Sequence, residues 1–443
     1  MGIFNNKIFK NASWIIAGKI VQSILNLIVT MLSARYLGPS GYGLINYAAS
    51  VVAFVAPIMN LGFNCVLVQE IVTQPEKEGE TLGTAILTSF ACSFLCITGV
   101  LAFVSIANAG EKTTLIVCAL YSILLIFQAL ELIQYWFQAK LKSKYTSLVG
   151  LISYIVTSVY KIVLLVRGMN LYWFAVSHAL DVLIISASLL IIYKKVGAER
   201  LRFSWSALKR MFARSKYYIL SELMIVIFAQ TDRIMLKLMI DDAATGYYSA
   251  AVSSAGLVGF VFAAIIESFR PVVLAAKKQD EEMFEKNEIR LLSIVLYASL
   301  FVSLGITLFS PLIIRILYGA AYAPSVNALR VVVWYTTFSY LGSARNIWIL
   351  AEGKQKYLVV SNLVGALSNV VLNLVLIPPM GIVGAALASL ITQMIANIGI
   401  NFFIKPLRRS NLLIGKAFNP KYVLEMFKKE KPLPQAQDEQ QEE

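Results

Sequence analysis

Hydrophobic residues make up 58% of the 443 residues and charged residues only 14%, a balance that leaves little soluble surface and makes nearly the whole chain membrane domain. The formal net charge of +14 does not indicate nucleic acid. A nucleic-acid face clusters its cations on one soluble surface, whereas here they are spread over alternate connections between apolar runs.

A helix of about 20 apolar residues crosses the hydrocarbon core. Breaking the chain at charge clusters and at Gly, Pro and Asn turns predicts about twelve such spans. They begin near Asn11, Tyr42, Leu82, Thr113, Tyr145, Asn170, Tyr217, Tyr247, Leu291, Asn327, Tyr357 and Ile382. The first apolar run is full length and lacks a small-residue cleavage site, so it reads as a span and not as a signal peptide.

The first span carries Lys19, Gln22, Ser23, Asn26 and Thr30 on one helical stripe. The second has Asn46, Ser50, Asn60 and Asn64 around Pro57, which removes a backbone bond and is expected to kink the helix in mid-membrane. Cys65, Cys92, Cys96 and Cys118 lie inside apolar spans and read as small buried hydrophobes. Glu131 lies toward the end of the fourth span. Lys161, His178 and Asp181 fall in the fifth and sixth, where Lys161 and Asp181 can pair and His178 reads as a packing residue whose pKa would also suit a proton carrier.

The seventh span places Glu222, Gln230, Arg233 and Lys237 on one face, with Asp232 beside them. Glu267 and Arg270 in the eighth are three apart and are either a local pair or a gate. Arg315 and Arg330 flank the ninth and tenth and can snorkel, while Arg345 lies toward the far end of the tenth. Asn362, Asn369 and Asn373 in the eleventh are followed by Ser389, Gln393, Asn397 and Asn401 in the twelfth.

A charge at the bilayer centre costs about 2.5 to 3.5 kcal/mol on insertion scales, so these stripes face protein or water. Hydrogen bonding between helices accounts for most of the Asn, Gln and Ser residues. Lys19, Asp232, Arg233 and Lys237 are read as lining a water-filled cavity with Asn26, Asn46, Asn60, Asn369, Asn373 and Gln393. Asp232 is the structurally paired member, because adjacent helical residues point about 100° apart. Glu131, Glu267, Arg270 and Arg345 are read as gate or coupling positions. No metal-ligand spacing or cofactor motif is expected, and coupling to H+ or Na+ is left open.

Basic residues crowd alternate connections, from Lys140, Lys142 and Lys144 through Lys194 to Lys216, while the opposite side holds Arg35, Lys112 and Arg167. The positive-inside rule then places both termini in the cytoplasm. An internal repeat is also visible: YWFQAKLKSKY (Tyr135 to Tyr145) aligns without gaps to IWILAEGKQKY (Ile347 to Tyr357), and Gly41-Tyr42 to Gly246-Tyr247. The expected fold is therefore an all-α polytopic membrane protein of two six-helix lobes, residues 1–205 and 206–405, followed by a basic and polar cytoplasmic tail, 406–443. Parallel repeats of this kind put a transport site between the halves.

Four stretches carry a family resemblance: ARYLGPSGYGLINYA (Ala34 to Ala48), TDRIMLKLMIDDAATGYYSAA (Thr231 to Ala251), ILYGAAYAPSVNALRVV (Ile316 to Val332) and NVVLNLVLIPPMGIVGAALAS (Asn369 to Ser389). Taken in order they resemble the polysaccharide-exporter branch of the multidrug/oligosaccharidyl-lipid/polysaccharide (MOP) flippase superfamily, in particular the Wzx-type O-antigen flippases. The resemblance implies two lobes in a V like that of the MATE transporters. It also implies a cationic central cavity, which Lys19, Arg233 and Lys237 could supply, and transfer of undecaprenyl-pyrophosphate-linked oligosaccharide across the cytoplasmic (inner) membrane for O-antigen, capsule or exopolysaccharide assembly. The implied partners are that lipid-linked oligosaccharide, the lipid bilayer, a polysaccharide polymerase and a chain-length regulator, and no nucleic acid. A pyrophosphate in transit needs its charge offset in a low-dielectric cavity, which Lys or Arg provides.

Three rivals remain on the residues. A membrane polymerase or glycosyltransferase would need a substantial external loop, and the external connections are short. A cation-coupled multidrug antiporter would need an acidic cavity. A lipid II flippase shares the polyprenyl pyrophosphate and is separated poorly.

Overall fold

The computed structural model describes residues 7–196 and 199–422, leaving outside that description the side chains of residues 7–21, 23 and 24. All the secondary structure among the described residues is helical. The stretch Leu25–Thr73 is 49 residues long; as one rod it would measure about 74 Å, more than twice the ~30 Å hydrocarbon core. It turns at Gly38 (φ 67), between a first span at 7–37 and a second that starts at Pro39. Lys356–Met394 turns likewise at Gly381 (φ 57). Only glycine holds such left-handed backbone without a clash at Cβ, and Pro39 suits the helix start that follows because the N–H it lacks has no partner there.

The second span pauses at residues 60–62 and continues as Phe63–Thr73. The interruption lies at Leu61 and Gly62, both with positive φ, just beyond Pro57. The third span is Glu78–Ala107, and the fourth is a broken run of Lys112–Ser122, Leu124–Glu131 and Gln134–Ala139. The fifth and sixth are Ser143–Val166 and Leu171–Lys195. The seventh, Trp205–Met239, starts about three turns before the expected Tyr217, so half of the basic linker is helix. Asp242–Ala255 and Gly259–Gln279 form the eighth, Glu281–Leu317 the ninth and Ser325–Ala351 the tenth. The eleventh and twelfth are the two arms about Gly381, the twelfth ending in a π-helical turn, Ile395–Gly399. A short helix, Arg408–Ala417, follows.

The turns at Gly38, Gly110, Gly168, Ile240, Gly319 and Gly381 gather at one end of the bundle, here the neutral end. The loops at 140–142, 196–204 and 352–355, with the Arg408–Ala417 helix, make the basic end. Each lobe has two apolar layers. The first six spans bury Tyr47, Val100 and Cys118 toward the neutral end and Phe63, Leu67 and Phe137 toward the basic end. The last six bury Phe284, Leu292 and Trp348 at the basic end. At the neutral end Ala34 and Tyr42 join Leu236, Tyr322 and Val332 in one cluster, so the lobes share a core there. Leu95, Val166 and Phe301 point outward and exposed, as side chains covered by lipid do.

The sequence repeat folds into the same unit twice. After the fourth span Leu141 (φ 55) and after the tenth Gly353 (φ 64) take left-handed backbone. The next amide then bonds back into the helix, Lys142 N to Phe137 O at 2.7 Å and Lys354 N to Ile349 O at 2.9 Å, which caps the orphan carbonyls. Lys142 lies 5.4 Å from the Trp136 ring and Lys354 lies 4.3 Å from the Trp348 ring, and both indoles are buried. The repeated Trp, Lys and Tyr are thus a helix stop with a cation over an aromatic face.

Candidate functional site

Between the lobes lies a cavity of about 460 Å³. Asn26, Thr30 and Asn46 of the first two spans line it, with Tyr121, Lys161 and His178 behind them and Ser253, Phe260 and Tyr318 from the other lobe. Lys161 is its single charged lining residue among those described. The polar wall is ordered: Asn26 accepts from Tyr154 Oη at 2.9 Å and from Thr30 Oγ1 at 3.2 Å, and Asn46 Nδ2 donates to the Tyr42 carbonyl at 2.8 Å. His178 lies against the Tyr121 ring, centroids 5.0 Å apart.

The expected Lys161–Asp181 pair does not form. Asp181 instead accepts from Ser153 Oγ at 2.6 Å and Thr157 Oγ1 at 3.4 Å, which leaves the ammonium to the cavity. Asp181 is the partner that sequence alone offers Lys161, which hides its place on the cavity wall. The signal was present all the same: Ser143, Ser147, Gly150, Tyr154 and Lys161 recur at helical spacing and make one face of the fifth span. The side chain of Lys19 lies outside the described residues.

Toward the neutral end the cavity is shut by contacts between the lobes. Arg35 donates through Nε to Leu317 O at 3.0 Å and through Nη2 to Ile316 O, and Tyr322 Oη donates to Ala34 O at 2.8 Å. The starts of the second and eighth spans touch backbone to backbone. A Cβ on Gly43 would sit 1.8 Å from Asp242 O, and one on Gly246 would sit 2.0 Å from Pro39 O.

The structure separates the remaining expected cavity residues into five places. Asp232, Asn369 and Asn373 come together, but inside the carboxy-terminal lobe, where all three are buried. Asn369 Nδ2 and Asn373 Nδ2 donate to Asp232 Oδ1 at 3.0 and 2.6 Å, and Tyr248 and Ser389 donate to Oδ2. Four donors on one carboxylate offset its removal from water. Gln393, also buried, accepts from Asn397 Nδ2 at 2.5 Å within the twelfth span. Asn60 lines a separate space of about 510 Å³ between the second, fourth and seventh spans, beside Glu222.

Arg233 ties the seventh span to the eighth: Nη1 donates to Gln230 at 2.8 Å and Nε to Ser249 at 3.2 Å, and Ser50 of the second span reaches across the lobes to donate to the same Gln230 at 2.9 Å. Lys237 lies one turn farther on and so reaches the neutral end, not the cavity. There it pairs with Glu111 at 2.7 Å and Asp242 at 2.9 Å. The hydrogen bond from Lys237 holds the Glu111 carboxyl below its ordinary range. Glu111 sits in a short loop with no helical spacing to mark it.

Of the expected gate positions, Glu267 and Arg270 form a local pair at 2.7 Å on an exposed face. Arg345 is buried, with Nη1 on the Asn397 carbonyl and Nη2 3.4 Å from Asn397 Oδ1; it braces the π-helical turn of the twelfth span, where ladder carbonyls are released. Glu131 opens onto a polar pocket inside the amino-terminal lobe.

Known structures share this fold. The chain resembles a lipid II flippase, MurJ, in an inward closed conformation, with a TM-score of 0.70 at 16% identity over 94% of this chain and 93% of that one. It resembles a multidrug resistance MATE family transporter of the MOP superfamily in an inward-facing conformation (0.64, 14%, 88% and 96%) and the eukaryotic MATE transporter AtDTX14 (0.60, 14%, 91% and 98%). Among curated proteins compared by sequence, none matches. The family described as polysaccharide biosynthesis protein matches residues 8–274, well over half of the chain. On that match, and with the fold of the MOP transporters around it, the chain belongs to the polysaccharide biosynthesis protein family.

Proposed function

We propose that the protein is a flippase that carries a polyprenyl-pyrophosphate-linked oligosaccharide from the cytoplasmic to the outer leaflet of the inner membrane by alternating access, for assembly of a surface polysaccharide such as O-antigen. The observation that carries this reading is the interlobe cavity whose one charged wall residue, among those described, is Lys161. A lysine held within a span is costly unless its charge meets a partner, and a transiting pyrophosphate supplies one. A cationic wall disfavours cationic drugs as cargo. On the positive-inside rule the basic end is cytoplasmic, so the neutral-end contacts close the outer side. A surface-polysaccharide polymerase and a chain-length regulator would act on the product.

H+ or Na+ coupling, on this proposal, would act at Asp232. Asn373 Oδ1, fully buried beside that carboxylate, has no hydrogen-bond partner among the described residues, so the cluster holds an oxygen to spare for a small cation.

Lipid II carries the same polyprenyl pyrophosphate, so the test uses both cargoes. Purified protein in proteoliposomes is given undecaprenyl-pyrophosphate-linked oligosaccharide or lipid II, and accessibility of the head group to an impermeant sugar-oxidising reagent is followed. The oligosaccharide is expected to cross. Lys161→Ala should slow it at least about tenfold, the worth of one charge-assisted contact, and Lys161→Arg should retain part of the rate. No crossing by the wild-type protein, or unchanged crossing in Lys161→Ala, would overturn the reading.

A further inference from the structure

The polar face of the fifth span continues past the interlobe cavity. Ser143, Ser147 and Gly150 carry it to a second space of about 350 Å³ at the basic end, enclosed within the amino-terminal lobe and lined also by Gln22, Glu131 and Gln134. The two spaces share two walls. Gln22 and Asn26 follow each other on the first span, Ser147 and Lys161 on the fifth, and the bond from Tyr154 Oη to Asn26 Oδ1 at 2.9 Å lies between. Ser147 and Lys161 are about 21 Å apart along the helix. One extended head group can therefore touch both.

The lining has a definite chemistry. Amides and hydroxyls that donate and accept in several directions match ring hydroxyls and acetamido groups. The carboxylate of Glu131 has no hydrogen-bond or ion-pair partner among the described residues, whereas the carboxylates of Glu70 and Asp181 in the same lobe are each met by donors. A half-buried acceptor of this kind inside a span is stabilised by a donor-rich guest and is disfavoured by an anionic one.

Resting on the flippase reading, we infer that the pocket around Glu131, Gln134 and Ser147 is a sugar subsite that reads the glycan while Lys161 holds the pyrophosphate, and that it selects neutral, hydroxyl- or acetamido-bearing sugars over uronic acids. Glu131 accepts hydrogen bonds from sugar hydroxyls, and its charge repels a sugar carboxylate. The pocket thereby supplies the discrimination that a phosphate contact, common to all polyprenyl-linked cargo, does not.

Binding and transport test this separately. The full chain in nanodiscs is melted with increasing diacetylchitobiose, a neutral disaccharide, or with an unsulfated disaccharide containing glucuronic acid. The neutral sugar is expected to raise the melting temperature and the uronic one not. Glu131→Gln, nearly isosteric and first checked for unchanged melting without sugar, should need about tenfold more neutral sugar for the same rise. Gln134→Ala should weaken it in the same direction, and Lys161→Ala should leave it unchanged. No shift with the neutral sugar up to its solubility limit, equal shifts with both sugars, or a full shift in Glu131→Gln would each overturn the subsite. In proteoliposomes, a wild-type protein that binds the sugar yet moves no lipid-linked cargo would sink the flippase reading and leave the sugar-binding result standing.

Discussion

Asp232 shows how a single residue can be legible in type and illegible in place. A carboxylate in mid-span was bound to be paired, and it is, yet its donors come from the eighth, eleventh and twelfth spans, which no local spacing links to the seventh. Replacing Asp232 with Ala removes the acceptor shared by two buried Asn amides and two hydroxyls, a loss of about 3 kcal/mol or more. The variant is expected to fold poorly by melting in detergent. Asp232→Asn keeps hydrogen-bonding capacity without the charge; it should fold, yet lose any dependence of transport on an H+ or Na+ gradient in proteoliposomes. Transport that still follows the gradient in Asp232→Asn would move the coupling site elsewhere. Lys161 teaches the converse: its helical face was readable, but the lack of a direct contact with Asp181 goes with Ser153 and Thr157 donating to that acid instead.

Whole helices were the most legible part of the chain, because length and apolarity decide a span. The repeat at Trp136 and Trp348 was readable as well, since the same stop of left-handed residue and stacked lysine was written twice. What stayed hidden were the loops between, where Glu111 meets Lys237 and helps to hold the third-to-fourth connection against the seventh span. The Glu111 carboxyl is held below its ordinary range. Its contribution is therefore complete above the ordinary glutamate pKa of about 4.3 and is lost only as pH falls through the lowered value. Neutral-end closure should accordingly be constant between about pH 5 and 8. Glu111→Gln should loosen it at neutral pH by about two- to fivefold, the scale of a half-exposed pair. Labelling of a cysteine introduced at Ser253 by an impermeant thiol reagent from the neutral side measures both, and a steep change in wild-type labelling between pH 5 and 8 would contradict this account.

At the scale of the molecule, the two lobes meet where side chains are absent. Gly43 and Gly246 let backbones touch, the small-residue packing that membrane helices use in place of hydrophobic driving force. Gly246→Val should pry the neutral end open, raising access of the same Ser253 cysteine from that side while leaving each lobe folded; unchanged access would show that this contact does not hold the lobes. The seventh helix joins the lobes in another way. Near its start, buried Glu70 of the second span grips Arg210 and Arg214, and Glu222 takes a hydrogen bond from Asn64 at 2.6 Å. Near its end, Asp232 is held by the opposite lobe. A rod pinned at both ends to two bodies that swing apart behaves as a torsion bar. If the lobes swing apart as the proposed transport requires, the outer passage can widen only while one anchorage slips or the bar twists between residues 222 and 232, so the easier of those two events sets the pace.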